Sequence, residues 1–164
     1  MYRGSSFLLQ KDYKIHTTAV IEIMKPEYDR LLGLTYEDLL DDEVTNLLEE
    51  LSNQLSTHYN NVRTTVIGHV QTPVSNILIT KILLGSLGCT PAYDEYFKKG
   101  IRETQVSIGN YNTNSLRRLA DFYRTNAERL EKIRKKMQIN DAIIYPQMKL
   151  LDMGFWQIGK NLNS

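Results

Sequence analysis

The sequence predicts an all-α fold: one compact domain, a bundle of about six to seven helices around a buried central apolar helix at 74–87. Three observations carry this expectation. Apolar residues recur at helical spacing through 17–59, 74–103 and 114–153. The segment from Val74 to Leu87 is almost unbrokenly apolar, and a helix without a wet face has to be buried. Proline and glycine stand mostly where helices would begin and end.

Each element has its own local reason. Phe7 to Leu9 is short and extended in type, and leads through Asp12 to a helix from about Thr17 to Met24. Pro26 suits the first turn of a second short helix that ends at Gly33. Thr35 precedes Glu37 and Asp38, acids that favour a helix N-terminus. A longer helix covers about Asp42 to Tyr59, with Val44, Leu47, Leu48, Leu51 and Leu55 on one stripe. From Asn60 to Thr72 the β-branched residues Val62, Thr64, Thr65, Val66 and Ile67 allow a strand or an extended loop.

Pro73 or Ser75 opens the apolar helix, and Gly85 and Gly88 end it. Thr90 before Pro91 reads as a start signal, a capping hydroxyl and then proline, for a helix running to about Glu103. Residues 104–112 read as loop. Asn114 or Ser115 caps a long helix to about Met137, with Leu116, Leu119, Phe122, Leu130 and Ile133 on its buried side. Pro146 opens a last helix that stops near Gly154, and Phe155, Trp156 and Ile158 pin the tail to the body.

Composition bounds the function. At 164 residues the chain suits one domain. A single cysteine, Cys89, makes neither an internal disulfide nor a thiolate zinc site, and its apolar surroundings mark it as a small buried hydrophobe. No apolar run reaches membrane-spanning length and no signal pattern opens the chain, so no membrane association and a cytoplasmic location are expected. The net charge of +1 hides a segregation. Residues 25–61 carry nine acids against Lys25 and Arg30, seven net negative; residues 98–136 carry eleven bases against four acids, seven net positive. Such blocks serve either as a basic face for phosphates or a head-to-tail self-association, or as neighbouring helices that complement each other.

Candidate chemistry is sparse. His16, His58 and His69 are scattered without metal-ligand spacing, so no metal site and no cofactor are expected, and His58 reads as favourably placed near a helix end. Asp94 follows the apolar segment at a helix start, where free amides stabilise an anion. The alternative is an acid in a pocket able to stabilise a cation or activate water. Lys81 interrupts the apolar helix and either snorkels to solvent, faces a carboxylate such as Asp94, or lines a pocket. Asp94 and Lys81 are thus the catalytic candidates, with Tyr93, Tyr96 and Trp156 as pocket aromatics able to stack on a base. Arg117, Arg118, Arg124, Lys135 and Lys136 are the candidates for contact with DNA or RNA along the long basic helix.

Three blocks carry a resemblance. Arg3 to Gln10 continuing to His16, Leu87-Gly88-Cys89-Thr90-Pro91-Ala92-Tyr93-Asp94-Glu95-Tyr96-Phe97, and Pro146 to Gly159 resemble a group of bacterial and phage-type helical proteins. That likeness brings no activity, and implies further chain before the first block. Thr80-Lys81-Ile82-Leu83 followed by Pro91-Ala92-Tyr93-Asp94 is also similar in order to the helix-hairpin-helix DNA glycosylases. This second resemblance implies that Asp94 stabilises charge on a sugar as its base leaves. The glycine-rich hairpin of that family is missing, since Gln71-Thr72-Pro73-Val74-Ser75 stand upstream. Two functions follow from different classes: a nucleic-acid-associated protein with a base-excision-like pocket at Asp94, or a non-catalytic protein-interaction or regulatory module.

Overall fold

The computed structural model describes residues 13–67, 73–139 and 143–162. Among them are no strands, only an isolated bridge between Ile139 and Ile143. The α-helices in chain order are α1 (Thr17–Ile23), α2 (Asp42–Ile67), α3 (Asn76–Ser86), α4 (Glu95–Glu103), α5 (Thr113–Thr125), α6 (Ala127–Lys136) and α7 (Gln147–Asn161). Short 3-10 turns at Tyr13–His16, Pro26–Leu31 and Asp38–Leu40 precede α2. The fold is all-α, as the periodicity predicts. The extended stretch expected at Phe7–Leu9, and His69, lie outside the described residues.

α2 is the longest element, and its stripe of Val44, Leu48, Leu51, Leu55 and Tyr59 is fully buried. The helix does not stop at Tyr59. It continues to Ile67, so the strand or loop expected from residue 60 is corrected for 60–67. The threonine hydroxyls explain part of this. Thr64 and Thr65 donate back to the carbonyls of Asn60 and Asn61 at 2.9 and 2.6 Å, which satisfies them inside a helix. Asn60 Oδ1 also accepts the Val74 amide at 2.8 Å and ties residue 74 to α2.

The most extensive helix pair is α4 with α7. Met148, Leu151, Asp152, Phe155 and Gly159 form the buried stripe of α7, at spacings of three or four residues. Phe97 of α4 meets Phe155 edge-on at 5.9 Å, and Phe122 of α5 leans on the same ring at 5.1 Å. The two backbones touch at glycines. A Cβ on Gly100 would collide with the carbonyl of Phe155, and one on Gly159 with the carbonyl of Tyr96. The last helix therefore runs through Gly154 to Asn161 instead of stopping at Gly154, because its far end is seated on α4.

α3 differs from the enclosed helix expected at 74–87. Ile79, Thr80 and Leu83 are buried, but Ile77, Leu78, Ile82 and Leu84 keep partial exposure and Gly85 and Ser86 face solvent. It is covered along one face, and Gly85 lies within it. Gly88, at φ +64°, ends it: the Gly88 amide donates to Leu83 O at 3.1 Å, a helix termination that favours glycine. The Pro146 ring fills the space where a Gly88 side chain would sit.

The long basic helix expected at 115–137 is two helices. Asn126 breaks it: its side-chain amide donates to Phe122 O at 2.8 Å and its backbone amide reaches Tyr123 O at 3.0 Å. A polar latch holds the two pieces to α7. Glu131 accepts from Arg134, from the Tyr123 hydroxyl at 2.6 Å and from Gln147 at 2.9 Å, while Gln147 Oε1 accepts the Tyr36 amide at 2.8 Å. Burial alone would raise the Glu131 carboxyl, but these hydrogen bonds outweigh it and hold it below its ordinary value. Ile133, expected on the buried side, is 38% exposed.

The glycine crossing makes a prediction whose sign is unusual. Alanine at an exposed helical glycine normally stabilises by about 0.5–1 kcal/mol, and Gly154, with open space around its Cα, should follow that rule. Gly100→Ala and Gly159→Ala should instead destabilise, by about 1–3 kcal/mol or more as α4 and α7 are forced apart. Denaturant unfolding of the three variants checks this; equal stabilisation by all three would refute the close approach.

Candidate functional site

The segment 87–94, between α3 and α4, is a buried connector, with Leu87, Gly88, Cys89, Thr90, Pro91, Ala92 and Tyr93 all inside. A buried connector must find partners for its backbone polar groups, and this one does. Leu87 O accepts from Gly33 N at 2.6 Å, Ala92 N donates to Asp152 Oδ1 at 3.0 Å, and Tyr93 N donates to Thr80 Oγ1 at 3.0 Å. The connector does not enter the helix before Asp94, whose backbone is extended, and α4 begins at Glu95. Its cap is Asp94 in place of the expected Thr90, since Thr90 and Pro91 lie before the helix.

Asp94 has both carboxylate oxygens engaged. Oδ1 accepts the Phe97 amide at 3.1 Å, the N-cap bond, and Oδ2 lies 3.6 Å from Lys81 Nζ. Lys81 reaches from α3 across the connector to this carboxylate while its side chain stays 38% exposed. The structure therefore brings Asp94 and Lys81 together, as an ion pair at the protein surface. Next to them is a group that the sequence reading missed. Asp152 of α7 is buried, with Oδ2 3.0 Å from Lys149 Nζ and Oδ1 on the Ala92 amide. Burial pushes its carboxyl above the ordinary value; Lys149 and the Ala92 amide oppose the shift and Asp94 adds to it. The one hint in the sequence is an acid set into the stripe Met148, Leu151, Phe155.

The pocket aromatics do not converge on Asp94 as a group. Tyr93 is a core residue: its ring packs against Phe97 and Tyr111 at 5.1 and 5.2 Å, and its hydroxyl meets Ser115 Oγ at 2.9 Å. Burial pushes its phenol well up. Ser107 joins Ser115 at 2.7 Å, and Tyr111 meets Ser52 at 2.8 Å, so the buried hydroxyls satisfy each other. Tyr96 and Trp156 do pair, edge to face at 5.3 Å, on the partly exposed side of the α4–α7 contact, with the Lys160 ammonium 5.3 Å from the Trp156 ring. Cys89 is fully buried, and its thiol is pushed up to about 12 by desolvation.

The basic candidates divide into two sets. Arg117 is paired with Asp42 of α2, and Arg124 with Asp121 one turn back at 2.8 Å. Arg118, Lys135 and Lys136 are exposed and form no ion pair among the described residues. His58 is not near a helix end, because α2 runs nine residues past it; its Nε2 meets Ile15 O at 2.8 Å. His16 sits beside it against the Tyr59 hydroxyl at 2.7 Å, its pKa lowered by burial and by His58. No group of three or more histidines, cysteines and acids among the described residues has the geometry to hold a metal ion. No helix among them is long and apolar enough to cross a membrane.

No protein-family model, curated protein or solved structure matches the chain. Function has to be read from the surface itself.

Two features of that surface were not singled out from the sequence. The first is an apolar tip at the end of α6, where Ile133, Met137, Ile139, Ile143 and Ile144 are all exposed within residues 133–144. Ile139 and Ile143 exchange backbone hydrogen bonds at 3.0 and 3.1 Å, an isolated antiparallel bridge. The second is a depression of about 420 Å³ on α2, lined by Asn46, Glu49, Glu50, Asn53, Gln54 and Thr57. Periodicity could have found the α2 stripe, which is the polar face opposite Val44–Leu48–Leu51–Leu55. It could not have found the tip, because the same pattern assigns Ile133 to the core.

The capping role of Asp94 predicts a graded response. Asparagine caps as well as aspartate, and an ion pair with a half-exposed lysine contributes little. Asp94→Asn should leave the melting temperature nearly unchanged, whereas Asp94→Ala should cost about 0.5–2 kcal/mol. Equal losses in the two variants would show that the charge matters more than the cap.

Proposed function

We propose that the protein is a non-catalytic interaction module that meets a protein partner through the tip at the end of α6. The observation that carries this reading is the group of five exposed aliphatic side chains, Ile133, Met137, Ile139, Ile143 and Ile144, in one short stretch. Single exposed apolar residues are ordinary, but several together mark a surface that something covers. Lys132, Lys135 and Lys136, also exposed, stand next to Ile133 and Met137 along the chain, which puts charge beside apolar side chains as protein interfaces do.

Association with nucleic acid through Arg118, Lys135 and Lys136 is the second reading, favoured by their exposure and lack of ion pairs. Phosphate contacts draw on charge and hydrogen bonding, and exposed isoleucines contribute to neither. A base-excision role at Asp94 has less support, because both carboxylate oxygens are engaged and Tyr93 lies in the core.

A photo-crosslinking residue placed at Ile143, with a second at the exposed Ile108 as control, tests the reading in living cells. Discrete protein adducts at 143 and none at 108 are expected. Adducts to nucleic acid alone, or no adduct from 139, 143 or 144, would contradict it.

A further inference from the structure

We infer that the partner of the tip is a second copy of this chain, bound head to tail, with the tip of one copy against the acidic face of α1 and α2 on the next. The inference rests on the tip being a protein-binding surface and adds the identity of what binds it.

The acidic face has the features that the tip requires. Glu49 and Glu50 stand on the solvent stripe of α2 around its polar depression. α1 and the residue that ends it expose Val20, Ile21 and Met24, at 50%, 63% and 74%. α1 packs on α2, and just before α1 His16 meets the Tyr59 hydroxyl of α2 at 2.7 Å. Each surface thus presents uncovered aliphatic side chains in a segment whose net charge is strongly of one sign, and the signs are opposite.

Within one copy these charges are not spent on each other. Among the described residues the two blocks meet in one ion pair, Arg117 with Asp42. Arg30 is held by Asp41 and Glu43 inside the acidic block, and Arg124 and Arg134 by Asp121 and Glu131 inside the basic one. Glu49 and Glu50 in the acidic block and Lys135 and Lys136 in the basic one stay exposed and without ion pairs among the described residues. Nucleic acid or an anionic lipid surface would neutralise only the basic end and would be repelled by the acidic one. A second copy covers both. Such a contact joins two different patches, so it propagates unless its rotation closes a ring.

The test uses the full chain in sedimentation velocity over a range of concentrations. At low ionic strength the average mass should rise with concentration, and it should fall toward the monomer in about 1 M salt, where the Debye length is about 3 Å. The double variants Lys135→Glu/Lys136→Glu and Glu49→Lys/Glu50→Lys should each be monomeric. Each keeps one intact end and the two reversed ends are again opposite in charge, so mixing them in equal amounts should restore association, with the two variants alternating. That rescue also shows that both variants are folded. A wild-type chain monomeric at every concentration, an association indifferent to salt, or a mixture that stays monomeric would overturn the proposal. If the wild type is monomeric while the probe at Ile143 still captures other proteins, self-association falls and the tip remains an interaction surface.

Discussion

Gly100 and Gly159 let α4 and α7 approach until backbone meets backbone, with the carbonyls of Phe155 and Tyr96 filling the space that side chains would take. Much of the remaining architecture depends on this crossing. It sets Phe155 against Phe97 and Phe122, which joins α5 to the pair. It carries Asp152 to the Ala92 amide, so the connector 87–94 can lie buried with its polar groups satisfied. It also places Tyr96 beside Trp156. The close approach gains dispersion contacts along two helices, and either glycine replaced by a larger residue would forfeit them together.

The polar groups of the interior serve the same end. Asp94, which the sequence makes prominent, caps α4 and links it to α3 through Lys81. Glu131 collects Tyr123, Arg134 and Gln147, and so fixes α5, α6 and α7 around one carboxylate. In each case a buried or half-buried acid has its oxygens satisfied by donors from more than one element, which is the condition for its burial to be tolerated. The carboxylates of Asp94 and Glu131 are thereby engaged in holding the fold. What remains uncommitted lies outside, in the apolar tip behind α6 and in the acidic face of α2.

Local signals in the sequence were legible where a single cause acts. The stripe of α2 from Val44 to Leu55, the glycine stop at Gly88 and the burial of Cys89 all follow from residue type and spacing, whereas the cap of α4 is Asp94, four residues after the expected Thr90. The misses share a tertiary origin. β-branched residues after Tyr59 favour a strand locally, yet the threonine hydroxyls bond back along α2 and the helix persists. Asn126 resembles any polar helix residue until its side chain takes the Phe122 carbonyl and divides α5 from α6. Gly154 looks like a stop, but the contact that decides α7 lies five residues on, at Gly159. The ion pair of Lys81 with Asp94 was one of the open alternatives, whereas Asp152 gave too little local signal to be read.

Native-state hydrogen exchange tests the dependence on the α4–α7 crossing most directly. If the crossing holds the fold together, the slowest amides of α4 and α7 exchange together and only through global unfolding, with free energies equal to that from denaturant. The amides of α1 and of α6, which has no buried residues, should exchange sooner. Slow amides confined to α2, with α7 opening at a free energy well below the global value, would contradict this account.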